Sequence, residues 1–290
     1  MKVLILGSTG LLGNTIARYF FNNNSYETFA IIRDYSKISY FNKKFHNNFF
    51  LLNDLLDFQK LEIKIKEIRP NILINCLGIT NKIFKNDSKF IENYIYINSL
   101  FPHQLYQRCL DLNIRLIHFS TDCVFSGNKG FYSEKDLPDP SDIYGRSKLL
   151  GELDYENCIT IRKSVIGHEL ITKNGLLEWF LDQTSVVQGY KNVIFSGLTS
   201  LELARLIDIY VIPRDDLRGI LHFSGESISK FDILKIIRDI YNKNIDIVLN
   251  EDKKMDRSLN GSQFNKLTGY KVKSWPELIT SMHEFELLNK

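Results

Sequence analysis

Cysteine is scarce in this chain. Its four residues, at positions 76, 109, 123 and 158, form no Cys-x-x-Cys pair, and no His/Cys spacing is that of a zinc site. A disulfide framework and a structural metal are therefore not expected, and the cysteine usage fits a reducing cytoplasm. Long apolar runs are missing too, since no stretch approaches the roughly 20 residues of a membrane span. The opening run 1–6 is too short for an export signal and ends in glycines, so a cytoplasmic location is expected. Charge of one sign is not in excess. The net charge of +3 is spread along the chain, and the basic segment 60–66 alternates with acids and apolar residues. Such a balance gives no case for a nucleic-acid partner. Internal repeats, low-complexity linkers and coiled-coil heptads are absent as well. The six histidines are scattered and none is assigned a role, while Trp179 and Trp275 read as packing residues.

What remains is an ordinary globular composition, 44% hydrophobic and 24% charged over 290 residues, enough for one or two domains. Apolar runs at 3–6, 28–32, 49–52, 72–76, 115–120 and 158–162 have strand length. They alternate with helical patterns at 11–21, 61–68, 94–110 and 144–157. That alternation predicts an α/β fold: a doubly wound parallel sheet of Rossmann type with helices on both faces. Beyond 163 the pattern loosens, with helices expected at 176–183, 201–210, 229–241 and 275–288 and a strand at 220–224. We expect a dinucleotide-binding domain over 1–163, completed by about 195–222. A smaller α/β substrate domain is expected from 164–194 and 223–290, packed over the carboxyl edge of the sheet, where ligands bind in such folds.

The first strand runs directly into Gly7-Ser8-Thr9-Gly10-Leu11-Leu12-Gly13. Glycines there let backbone N–H groups approach a pyrophosphate, and the following helix points its positive end at it. The spacing is Gly-x-x-Gly-x-x-Gly, so Gly7, Thr9, Gly10, Leu11, Leu12 and Gly13 are candidate cofactor residues. The second strand ends in Arg33-Asp34. An acid there would hold a ribose 2′-hydroxyl and an arginine a 2′-phosphate; Arg33 comes first, which leans to NADPH with NADH the alternative. Asp54 and Leu55 after the third strand, and Cys76, Leu77 and Gly78 after the fourth, would pass along the cofactor, as would Asn98.

Tyr144-Gly145-Arg146-Ser147-Lys148 puts a phenol and an amine one helical turn apart, soon after Ser120-Thr121-Asp122. Tyrosine is a usable acid at neutral pH, and a nearby ammonium favours its phenolate. Thr121, or Ser120, would bond the substrate oxygen. The combination predicts hydride transfer to a carbonyl, with Thr121, Tyr144 and Lys148 as catalytic residues and Tyr144 and Lys148 also touching the cofactor.

With these motifs the chain resembles the extended short-chain dehydrogenase/reductases that act on nucleotide sugars, and among them the dTDP-4-dehydrorhamnose reductases. The resemblance rests on the glycine loop, on Ser120-Thr121-Asp122-Cys123-Val124-Phe125-Ser126-Gly127, and on Tyr132-Ser133-Glu134-Lys135-Asp136 through to Lys148 and Gly151-Glu152. It continues in the segments 162–167, 197–199 with Leu203-Ala204, and 257–260. It implies reduction at C4 of a 4-keto-6-deoxy sugar on a nucleoside diphosphate, for surface polysaccharide or deoxysugar biosynthesis. It also implies substrate contacts from Ser120, Asp122, Cys123, Val124, Val165, Thr199 and Arg257. The chain departs from that family's pattern at Cys123 (an aromatic there), Val165 (tryptophan) and Leu198 (proline). These changes reshape the sugar pocket and leave the carrier open among dTDP, UDP, CDP and GDP. Asn14-Thr15 stand where some relatives carry a magnesium-bound acid, so no metal is carried over. The resemblance leaves two alternatives: an epimerase or dehydratase, and a non-catalytic NADP-binding regulatory subunit. Dimers are the commonest oligomers, so a homodimer is the default partner.

Overall fold

The computed structural model describes residues 1–54, 57–80 and 88–289. Its centre is a seven-stranded sheet: β1 (Lys2–Leu6), β2 (Glu27–Ile32), β3 (Phe49–Leu51), β4 (Ile72–Asn75), β5 (Arg115–Phe119), β6 (Cys158–Arg162) and β7 (Gly219–His222). The spatial order is β7-β6-β5-β4-β1-β2-β3. Every pairing in it is parallel, for example Val3 with Thr28, Leu4 with Leu73 and Ile117 with Ile159. The order reverses at β1, between β2 and β4, and this opens the crevice at the carboxyl edge where such sheets bind ligands.

Successive side chains of a strand point to opposite faces, so a sheet covered on both sides needs continuous apolar strands. Val3 and Ile5 enter one core with Ile16, Ala17 and Phe20 of the helix Leu11–Phe21. Leu4 and Leu6 enter the other with Leu61 and Ile65 of the helix Phe58–Ile68, and with Phe101 and Leu105. Each such side chain stabilises the fold by about 1.5–3 kcal/mol.

Several expectations are corrected. The helix expected over 94–110 starts at Ser88 and contains a π turn, Tyr96–Leu100, before continuing as Phe101–Asp111. The helix expected over 144–157 is Ile143–Leu150. It stops because Gly151 lies against the neighbouring π turn, where a Cβ would fall 1.9 Å from the Asn98 carbonyl oxygen. The chain then folds back as the Thr160 hydroxyl bonds both the N–H and the carbonyl of Leu153, at 3.0 and 2.9 Å.

Beyond β6 the parallel pair Val187–Tyr190 and Ile247–Asn250 and the helix Ser262–Thr268 were not read from the sequence. The last helix, Trp275–Leu288, starts with a Ser274/Glu277 capping box and packs on the helices Lys230–Ile240 and Ser200–Leu206. Its Glu286 pairs with Arg18 of the first helix at 2.9 Å, with both side chains largely buried. No helix among the described residues is long and apolar enough to cross a membrane.

Candidate active site

Leaving β1, Gly7 takes a φ of +78°, and a Cβ on it would press on Cys76 at 3.0 Å. At Gly13 a Cβ would fall 2.0 Å from the Gly7 carbonyl oxygen, so the helix rests directly on the turn. Gly10 differs: a Cβ there would meet only ordinary contact at 3.5 Å, so the protein's own packing does not require glycine. Gly10 is also the N-cap of the helix, with no side-chain cap and no acid in the first turn. The orphan N–H groups and the helix dipole are thus left for an anion. Thr9 and Gly10 reach the surface of this cradle. Leu12 is 7% exposed and belongs to the core, so only its backbone can serve a cofactor.

Arg33 is exposed at the end of β2 and makes no ion pair among the described residues. Asp34 turns back instead, accepting from the Ser36 N–H at 2.9 Å and pairing with Lys37 at 3.7 Å. The guanidinium, not the carboxylate, is the group left for a ribose phosphate. Asp54 lies exposed beside this end of the crevice, and Leu55 is outside the described residues. On the far side of β1, Asn75 accepts from the Leu77 N–H at 3.1 Å and shapes the turn that carries Cys76, Leu77 and Gly78.

Asn98 occupies a different place from the one expected. It is fully buried, and its amide is used within the protein: it donates to the Ile79 carbonyl at 3.0 Å and to the Ser147 hydroxyl at 3.0 Å, and accepts from the Ile79 N–H at 2.9 Å. Asn98 therefore positions the β4 turn against the helix that carries Tyr144 rather than touching a ligand.

That helix is capped by Asp142, which accepts from the Gly145 N–H at 2.7 Å. It approaches the Ser-Thr-Asp segment so closely that a Cβ on Gly145 would lie 2.1 Å from the Cys123 carbonyl oxygen. The approach brings the Tyr144 phenol beside Thr121, whose hydroxyl lowers the phenol pKa against the effect of burial. Thr121 is 4% exposed, accepts from the Cys123 N–H at 3.2 Å and donates to Asp122 at 3.1 Å. Burial, and then the neighbouring Cys123 and Asp122, push the Tyr144 pKa upward. Lys148 is lowered to about 7, mainly by burial and then by the charge of Lys163. The expected lowering of the phenol by Lys148 is thus not seen. Desolvation dominates, the lowering comes from Thr121 rather than from the lysine, and Tyr144 is held as a neutral proton donor.

Three expected substrate residues face elsewhere. The Ser120 hydroxyl donates to Glu152 at 2.6 Å, inside a buried pair of Glu152 with Arg162 (2.8 and 2.6 Å). Val124 is buried with Phe125, Tyr132 and Leu259. Thr199 is 1% exposed and caps the helix Ser200–Leu206 by accepting from the Glu202 N–H at 3.3 Å. Ser120 and Thr199 lie on extended backbone, where alternate residues point away from a site, and Val124 lies in a 3-10 turn that carries it into the core. Val165 is half-buried and pairs with Leu198. Arg257 does join Asp122 and Cys123: its guanidinium reaches the Cys123 sulfur at 3.3 Å and the Ser141 hydroxyl at 3.4 Å, and its buried Nε has no partner. Burial pushes the Cys123 thiol up to about 12.

The sequence reading missed Lys163, just past β6, and a cavity of about 420 Å³ walled by Leu176, Trp179, Gln188, Tyr190, Lys253 and Met255. Lys253 lies over the Tyr190 ring at 4.7 Å. The strand Met255–Asp256 leads from this cavity to Arg257, and Gly127 lies close to both Met255 and Arg257. The cavity, Arg257 and the Thr121–Tyr144 pair thus follow one another along the protein.

A parallel sheet with an uncapped glycine turn after β1 and a Thr-Tyr-Lys group beyond β5 places the chain among the extended short-chain dehydrogenase/reductases. More narrowly, the model of the family described as RmlD substrate binding domain matches residues 1–185, and the chain belongs to that family. It is similar to dTDP-4-dehydrorhamnose reductase of Aggregatibacter actinomycetemcomitans, 28% identical over 238 residues, covering 78% of this chain and 74% of that protein. It is also similar to methionine adenosyltransferase 2 subunit beta of Danio rerio, 24% identical over 270 residues, covering 83% of this chain and 74% of that one. Several other curated relatives are matched over about half of their own length or less. A solved structure of dTDP-4-dehydrorhamnose reductase from Bacillus anthracis in complex with NADP shares the fold, with a TM-score of 0.77, 22% identity and 98% coverage of both chains.

Proposed function

We propose that this chain is an NADPH-dependent reductase of a keto sugar carried on a nucleoside diphosphate, the sugar being of the 4-keto-6-deoxy class. One observation carries the reading: the helix of Tyr144 and Lys148 presses on the Thr121–Cys123 segment, with Gly145 against the Cys123 carbonyl, and so brings phenol, hydroxyl and amine to one place. The cofactor fits the crevice, since Gly10 has room, the first helix is uncapped, and Arg33, exposed and in no ion pair among the described residues, suits a 2′-phosphate. Bound there, NADPH would supply a hydride to the sugar carbonyl carbon.

The chain's own residues do the rest. Thr121 and Tyr144 hold the carbonyl oxygen, and Tyr144 passes its phenolic proton to that oxygen as the alcohol forms. Lys148, on the same helix, holds the cofactor ribose and steadies the phenolate left on Tyr144. Arg257, whose guanidinium stands by Cys123 and Ser141, suits the diphosphate, and the cavity beyond it suits the nucleoside. Residues 1–163 with 195–222 would form the cofactor unit, and the remainder the substrate unit, with a homodimer as the working assembly.

The test is oxidation of NADPH, followed by absorbance, with 4-keto sugars on dTDP, UDP, CDP and GDP. Wild type should turn over with at least one carrier. Tyr144→Phe should lose turnover and keep NADPH binding; a Tyr144→Phe variant as active as wild type would sink the mechanism. A second reading, a cofactor-binding subunit of another enzyme, draws on the Danio rerio relative. It predicts NADPH binding with no turnover on any carrier.

A further inference from the structure

Lys163 has no part in the mechanism above, yet it sits in the middle of the site. It follows β6 directly, and its carbonyl accepts from the Asp122 N–H at 3.2 Å, which ties it to the Ser-Thr-Asp segment. Lys163 is half-buried, which lowers its pKa, and among the described residues its amine forms no hydrogen bond and no ion pair. The groups whose charges it feels are Asp122, Cys123 and Cys76, which lie at the carboxyl ends of β5 and β4. Lys163 is in turn the charge felt most strongly by Lys148 and by Cys76. Asp122 draws on the amine without closing a pair, and is itself bonded by the Thr121 hydroxyl at 3.1 Å and the Cys123 thiol at 3.7 Å. Lys163 thus stands at the carboxyl end of β6, tied to the Ser-Thr-Asp segment and close enough to Lys148 for that lysine to feel its charge.

In a doubly wound sheet the second half of a dinucleotide lies across those strand ends. The first half is fixed by the turn after β1 and by Arg33. The reactive ring must therefore come to the side where Lys163 and Lys148 stand. That ring changes charge in the reaction: the reduced nicotinamide is neutral, and the oxidised one carries a positive charge. A cation within a few ångströms treats the two differently, and a partly buried site weakens the screening of that difference. We propose that Lys163 makes the site discriminate between the redox states of its cofactor, favouring NADPH and expelling NADP⁺. The consequence is directional: the chain loads the hydride donor in the presence of the spent form and releases the spent form after turnover. The inference rests on the reading of the crevice as an NADPH site.

The experiment measures Kd for NADPH and for NADP⁺ on the full chain by titration calorimetry, in wild type, Lys163→Met and Lys163→Arg. Methionine keeps the length and removes the charge; arginine keeps the charge. Wild type should bind NADPH more tightly than NADP⁺, and Lys163→Met should shrink that ratio by about tenfold, mainly by tightening NADP⁺, as expected for one charge removed from a partly buried site. Lys163→Arg should retain the preference. A Lys163→Met variant that weakens both ligands equally, or leaves the ratio unmoved, overturns the inference while the cofactor reading stands. Failure of wild type to bind either nucleotide would overturn both.

Discussion

Replacing Gly145 by alanine sets two ordinary effects against each other. Gly145 lies inside the helix Ile143–Leu150, where alanine is favoured over glycine by about 1 kcal/mol. From the helix alone the variant should be more stable. The structure says otherwise: the added methyl would stand 2.1 Å from the Cys123 carbonyl oxygen and 2.9 Å from Pro140 Cβ. Ordinary contact begins near 3.4 Å, so the helix and the Ser-Thr-Asp segment must part by about 1.3 Å. Overpacking of this kind costs about 1–3 kcal/mol, and against rigid backbone the upper end applies. The net is a loss of about 2 kcal/mol, or roughly 4 °C in Tm for a chain of this size. Activity should suffer more, because the same separation carries Tyr144 away from Thr121, and a misplacement of about 1 Å can cost ~100-fold. The assay pairs thermal unfolding with NADPH oxidation on the substrate found for wild type. NADPH binding at the glycine turn should survive, since the clash is remote from it. A Gly145→Ala protein that melts at or above wild type and turns over within about twofold of it would refute the reasoning, which sets a steric clash above helix propensity.

Four further outcomes follow from the same geometry. Gly10→Ala should fold as wild type, because its Cβ meets only ordinary contact at 3.5 Å, yet should weaken NADPH by tenfold or more in a titration, an estimate from loss of close backbone approach to the pyrophosphate. Arg33→Met should leave NADH binding unchanged and weaken NADPH roughly tenfold, the value of one charge-assisted pair at an exposed site. Glu152→Gln leaves Arg162 charged in a buried pair whose members are each 4% exposed, and should cost about 3–5 kcal/mol by denaturant titration. Lys148 is lowered to about 7 in the folded chain, by burial first. The unfolded chain therefore binds more protons above that pH, and stability of the cofactor-free protein should rise from about pH 7 to 10, by at most ~5 kcal/mol. Thermal melts of Lys148→Met against wild type across that range should show a flatter dependence in the variant.

The sheet was legible because each of its first six strands is a short apolar run that needs no partner to be recognised. β7 was legible for the same reason, although its pairing with β6 was not. The helix boundaries failed where a distant segment decides them: Gly151 ends a helix because Asn98 lies against it, some fifty residues earlier in the chain. The site divides the same way. Tyr144 and Lys148 announce themselves by spacing along one helix, and Gly7 and Gly13 by following a strand. Ser120, Val124 and Thr199 are expected as ligand contacts through the family resemblance, which locates a segment near the ligand but not the direction of each side chain. Lys163 went unnoticed because a lysine after a strand has the same local appearance in solvent as in a crevice. Only the packing of β4, β5 and β6 brings it to Lys148.

The ion pair between Arg18 and Glu286 joins residues that leave the ribosome far apart in time. Arg18 belongs to the helix that holds the phosphate cradle, and the surface it rests on is completed by the helix Trp275–Leu288. Synthesis at about 5–20 residues per second separates the two by on the order of tens of seconds. Through that interval the first helix carries an apolar flank and an arginine that has the Tyr40 carbonyl, at 3.4 Å, but not yet its carboxylate partner. The nascent protein thus has its cofactor turn encoded early but supported last, and that interval is when a chaperone, or the nucleotide itself, has most to contribute to its folding.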